Sequence, residues 1–239
     1  MIKNNVFKFN YIINMEIDRM EEYKKIGIIV GILFIIGTVS GILSTVLIGT
    51  ITNSSEFFLQ ITQNSSQFIL GALFILLMGI SLAFIPIVLY PILKKQNETL
   101  AIAYVVFRGA LETVTYIAVF ASVLLLLHLQ NMGNLLINLH ELATISGTFV
   151  FSIGAIILYY ALYRYKLVPS WLSIFGLISI TLHLITGFLI VFGLQTGFSL
   201  VNVIMNLPII LQEMILAAWL IAKGFNLESR NITKINEKL

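Results

Sequence analysis

Arg108 and Glu112 stand four residues apart near the middle of an apolar run, 100–127, that is long enough to cross a bilayer. Two more ionisable side chains sit in comparable places, His183 in the run 171–194 and Glu213 in the run 200–223. A charge held at bilayer depth costs roughly 2.5–3.5 kcal/mol on insertion scales, so such residues pair with one another or face a water-filled cavity. A guanidinium, two carboxyls and an imidazole can bind a small solute, hold a proton, or act as general acid and base. One cation set against two carboxylates leaves one negative charge over, so the two carboxyls are expected to share a proton and to titrate as a unit.

Depth supports treating these groups together. Counted from the ends of their runs at 1.5 Å per residue, Arg108, Glu112, Glu213 and His183 all fall about 12–18 Å into the membrane. Polar neighbours share their faces by i, i+4 spacing: Tyr104, Thr115 and Tyr116 with the Arg108 pair, Asn202 and Asn206 with Glu213, and Ser179 and Thr186 with His183. Thr148, Ser152, Tyr159 and Tyr163 line up similarly in the run 145–163. Pro86 and Pro208 free the carbonyls of Leu82 and Ile204, which must then be buried in protein or line a wet space. The expected site is a polar pocket inside the bundle, with Arg108, Glu112, His183, Glu213, Asn206, Tyr104 and Tyr116 as candidate ligand- or proton-binding residues.

Plainer readings compete. Arg108 and Glu112 can be an intrahelical ion pair that only lowers insertion cost, although arginine before glutamate is the less favoured order at this spacing. His183 alone reads as a hydrogen-bonded packing residue. A metal wants three or more converging ligands, and no local metal signature is present, so neither metal nor cofactor is expected. Nucleotide-binding glycine loops and a nucleophile elbow are missing, and there is no cysteine, hence no thiol chemistry or disulfide.

The elements that position these residues follow from composition. The chain has 239 residues, 59% hydrophobic and 10% charged, and a mean hydropathy of +0.99. A soluble domain carries about 25% charged residues, so lipid is the solvent here. Six apolar runs, 26–51, 68–93, 100–127, 145–163, 171–194 and 200–223, are each long enough to span. In hydrocarbon every backbone polar group must be paired internally, which makes each run a helix. The predicted fold is an all-α, polytopic six-helix membrane bundle with both termini cytoplasmic.

Orientation comes from the basic residues. Lys3, Lys8, Arg19, Lys24 and Lys25 precede the first run, Lys94 and Lys95 follow the second, Arg164 and Lys166 the fourth, and Lys223, Arg230, Lys234 and Lys238 the sixth. With six spans these fall on one side, leaving only Arg108 within a helix. The basic pI of 9.1 therefore reads as topology rather than as nucleic-acid binding. Trp171 and Trp219, near the same ends, suit the headgroup level. Segments 1–24 and 226–239 are expected to be cytoplasmic tails around a membrane domain 25–225. Met15 and Met20 offer alternative starts, which would make the residues before them an extension. In the outer loop 128–144, Leu135, Leu136, Ile137, Leu139 and Leu142 suggest a short interfacial helix. Gly27, Gly31, Gly37 and Gly41 form a smooth stripe on the first run, suited to close packing on another helix of the chain or to a homo-oligomer.

Four segments in this order carry a resemblance: Gly31-Ile32-Leu33-Phe34-Ile35-Ile36, Phe107-Arg108 with Glu112, Leu167-Val168-Pro169-Ser170-Trp171-Leu172 with Gly176, and Glu213 with Trp219-Leu220 and Lys223-Gly224. Together they resemble a bacterial multi-pass family, domain of unknown function number 4386, over roughly residues 25–225. The resemblance implies a bacterial cytoplasmic-membrane location and supplies no reaction or site. The residues themselves point to a membrane protein with an intramembrane charged site serving proton-coupled or small-molecule transport or binding. An intramembrane enzyme acting on a lipid or lipid-linked substrate, and a structural or regulatory subunit, are the competing readings. The implied partners are the bilayer and a small-molecule or lipid ligand, with no nucleic acid.

Overall fold

A computed structural model describes residues 2–52, 57–197 and 199–226, except for the side chains of residues 2–19, 50–52, 57 and 58. Of the basic residues used for orientation, Arg230, Lys234 and Lys238, and the side chains of Lys3, Lys8 and Arg19, lie outside the described residues, as does the C-terminal tail from residue 227.

The described chain is helical throughout, with no strand. In order it forms α1 (Ile2–Thr52), α2 (Phe57–Gln63), α3 (Ser65–Gln96), α4 (Glu98–His128), α5 (Gly133–Arg164), α6 (Ser170–Val191) and α7 (Leu200–Lys223). Six helices, all but the short α2, are long and apolar enough to cross a membrane. The chain is a multi-pass membrane protein, and its many lipid-facing Leu, Ile and Val side chains are what such a solvent requires.

Local chemistry sets the breaks. Asn97 accepts the Leu100 N–H at 3.0 Å and starts α4 directly after α3, and Lys94 pairs with Glu98 across that turn at 3.0 Å. Ser199 caps α7 by accepting the Asn202 N–H at 3.1 Å. Gly224 ends α7 at φ +72°, a backbone state that a Cβ disfavours. Both Pro86 and Pro91 lie within α3 without breaking it.

Each spanning helix packs against its neighbours in sequence, and α1 packs against α7 to close the ring. In a six-member ring α4 and α7 stand on opposite sides. Two apolar cores fill the bundle. The larger includes Tyr23, Phe34, Leu89, Tyr104, Tyr159 and Leu216; the smaller includes Ile61, Phe68, Val123 and Leu136.

The basic ends of the helices meet. The Lys95 ammonium lies 5.0 Å from the Tyr23 ring centroid, a Cβ at Gly224 would lie 3.3 Å from the Lys24 Cα, and Asn226 N–H donates to the Leu167 carbonyl at 2.8 Å. Residues 23–25, 94–98, 164–168 and 223–226 thus share one end of the bundle.

Helix α1 passes through residue 24 without a break, and Tyr23 is buried in the larger core. One expectation changes. Residues 133–144 form no separate interfacial helix; they are the first turns of α5, because Leu136 and Ala143, seven residues apart, extend its buried face. The glycine stripe is filled by the chain itself. A Cβ at Gly31 would meet the Ala217 carbonyl oxygen at 2.7 Å and one at Gly27 the Leu220 carbonyl oxygen at 3.0 Å, both in α7. Gly37 and Gly41 lie against Leu82 and Met78 of α3.

Candidate functional site

The site is built on an irregularity in α4. Residues Val105–Leu111 form a π-helical segment, and the Glu112 N–H donates to the Phe107 carbonyl, five residues back. Such widened turns are rare and recur at functional sites. Two glycines let neighbours approach this wide turn. A Cβ at Gly109 would lie 3.2 Å from Pro86 Cγ of α3, and one at Gly154 of α5 would lie 3.3 Å from the Arg108 backbone nitrogen.

From this segment the Arg108 side chain reaches across the ring. Its Nη1 donates to both Glu112 oxygens, at 3.0 and 3.1 Å, and its Nη2 donates to Glu213 Oε1 of α7 at 3.3 Å. The Tyr116 hydroxyl donates to Glu112 Oε1 at 2.8 Å. The Thr38 hydroxyl of α1 donates to Glu213 Oε2 at 2.8 Å. Phe151 of α5 places its ring centroid 4.5 Å from Arg108 Cζ, within cation–π range. Arg108 is 2% exposed, Glu112 0% and Glu213 8%. Four helices therefore converge on one ion cluster, centred on a guanidinium whose flat fork suits two carboxylates better than an ammonium would.

The candidate residues divide into groups. Arg108, Glu112, Glu213 and Tyr116 make the ion cluster. Tyr104 is fully buried beside Arg108. His183 and Asn206 form a pair of their own, Nδ1 against Oδ1. The His183 ring meets Phe151 edge-to-face at 5.0 Å, which puts it one aromatic ring away from Arg108. Among the described residues no three His, Asp or Glu side chains gather as a metal would need, since His183 is tied to Asn206 and stands apart from the carboxylates.

The side chains of the cluster meet one another directly. Each carboxylate oxygen of the cluster accepts a hydrogen bond from Arg108, Tyr116 or Thr38, because burial makes an unpaired charge costlier than close side-chain packing. Of the stripe on α5, Ser152 and Tyr159 are buried, while Tyr163 is 44% exposed. The Tyr159 hydroxyl donates to the Gln212 side-chain oxygen, and Gln212 Nε2 donates to the Leu172 carbonyl at 3.4 Å.

Thr38, Phe151 and Gln212 belong to the polar interior without having been singled out from the sequence. Thr38 and Gln212 carry a usable signal, as polar residues at mid-membrane depth beside Gly37 and Glu213. Phe151 carries none, since an aromatic in an apolar run is ordinary.

The family described as Domain of unknown function (DUF4386) matches over residues 29–224. The chain belongs to this family. The DUF4386 segment runs from the middle of α1 to the glycine that ends α7, so Thr38, Arg108, Glu112, Phe151, His183 and Glu213 of this member all lie inside it. The family description assigns no reaction, and neither a curated protein nor a solved structure matches the chain.

Proposed function

We propose that the Arg108–Glu112–Glu213 cluster binds an exchangeable proton and couples it to transport or binding of a small solute, in a bacterial cytoplasmic membrane with both termini on the cytoplasmic side. The observation that carries this reading is one guanidinium holding two buried carboxylates from opposite helices. Such a set is one positive charge short, and a proton is the smallest ligand that supplies it. Helix order adds support. Glu112 and Glu213 occupy the third spanning helix of each half, and the halves cross in opposite directions, the arrangement of 3+3 inverted-repeat carriers. The basic residues gathered at one end of the bundle support the orientation.

Infrared difference spectra of the protein in lipid vesicles, recorded as pH is stepped, test the proton site. They should contain a carboxylic-acid C=O band that Glu213→Gln or Glu112→Gln alters. A carboxyl region indifferent to pH overturns the proposal. A second reading, a structural or regulatory membrane subunit, is favoured by the closed packing of the cluster; it predicts that indifference, together with a loss of stability in the same variants.

A further inference from the structure

His183 has a fixed tautomer, and the hydrogen bonds around it decide which. The Asn202 amide nitrogen donates to the Gly197 carbonyl, so the Asn202 side-chain oxygen is left to accept. The Asn206 amide nitrogen donates to the Asn202 backbone carbonyl at 2.8 Å and to that side-chain oxygen at 2.9 Å. Both Asn206 amide protons are thereby used on acceptors, and its oxygen must face His183 Nδ1. An oxygen can only accept, so Nδ1 carries the proton. In the neutral ring Nε2 is then a bare lone pair. That atom is buried and has no hydrogen-bond partner among the described residues. Left unmet, a buried acceptor costs about 1–3 kcal/mol.

The groups facing this ring are few. Helix α5 presents Phe151, which is neutral, and α7 presents Asn206, also neutral. Arg108 of α4 lies on the same Phe151 ring. Beyond Arg108 stand Glu112 and Glu213. With His183 neutral, the cluster carries one excess negative charge. With His183 protonated, two cations face two carboxylates and the set is neutral.

We propose that His183 Nε2 is a second seat for the proton of the ion cluster, held ready as a base by Asn206 and parted from the carboxylates by the Phe151 ring. The inference rests on the proton-binding reading above and names the other end of the same exchange. In one direction the proton leaves Nε2, whose electron pair stays on the ring, and a carboxylate oxygen of Glu112 or Glu213 becomes a hydroxyl. The reverse step restores the imidazolium. Charge is conserved; because the Phe151 ring parts the two seats, a water molecule carries the proton between them. The Asn206–Asn202–Gly197 chain leads from His183 to the exposed turn before α7.

Solid-state NMR of the full chain in lipid, with 15N-labelled imidazoles, tests this. The protein has three histidines, and the signals lost in His183→Gln identify the one at issue. At alkaline pH His183 should be neutral with its proton on Nδ1, and acidification should convert it to imidazolium. At a pH where the natural protein shows both forms, Glu213→Gln should lower the imidazolium fraction, as expected for loss of one negative charge from the set. Asn206→Leu, which leaves the ion cluster intact, should release the tautomer into a mixture. A proton on Nε2 at alkaline pH, or an imidazolium fraction unmoved by both Glu213→Gln and Glu112→Gln, overturns the inference. The infrared carboxyl band reads the parent proposal separately. A pH-sensitive band with an unresponsive His183 defeats only the second seat, whereas a pH-indifferent carboxyl region defeats the parent reading whatever the imidazole does.

Discussion

Arg108 donates to three carboxylate oxygens while lying against an aromatic face, and each partner comes with its own support. Removing the guanidinium strands two buried carboxylates, so Arg108→Leu should cost about 3–5 kcal/mol. Arg108→Lys should recover only part of this, because an ammonium cannot span both carboxylates with the same fork. Thr38→Val removes one hydrogen bond to a charged group and should cost about 1.5–3 kcal/mol. Reversible unfolding in mixed micelles would rank the three, with Arg108→Leu the worst. The pairing of Arg108 with Glu112 was legible from their spacing on one helix. That Glu213 completes the set was legible only as a coincidence of depth, since depth says nothing of which way a side chain faces.

Helix α1 shows what an element contributes. Its glycines bring the α7 backbone close enough for Thr38 to reach Glu213. At Gly31 an added Cβ would meet a backbone carbonyl, which cannot turn aside, whereas at Gly37 it would meet the end of the Leu82 side chain, which can. Gly31→Ala should therefore destabilise by about 1–3 kcal/mol and Gly37→Ala by less. Gly197→Ala, with no atom of the described residues near the new one, should fall within about 0.5 kcal/mol of the natural protein. The same unfolding measurement would check this order. The stripe was plain in the sequence, but its partners were not. The π-helical segment of α4 left no sequence signal, because the residues that allow it, Gly109 and Gly154, stand on two different helices and act only once these pack.

The arrangement of six helices into a ring closed by α1 and α7 puts α4 opposite α7 and sends the Arg108–Glu213 pair through the centre. It also gathers the basic turns at one end. Because the chain has no cysteine, single introduced cysteines can report sidedness. Gln96→Cys and Tyr165→Cys should react with a membrane-impermeant thiol reagent only after the inner face is opened, while Asn131→Cys and Thr196→Cys should react in intact cells. Labelling of all four from one side would break the six-span topology. The number of spans and the depth of each polar residue were fixed by hydropathy and by charge along the chain, since lipid penalises every unpaired backbone group and every stray charge in proportion to how far it is buried. Rotation of each helix about its own axis was not, because most faces of such a helix are apolar and lipid scarcely distinguishes them. Packing against glycines, prolines and a widened turn chose those rotations. With them came the closing of Thr38, Tyr116 and Phe151 around one arginine and the placing of His183 one ring away from it.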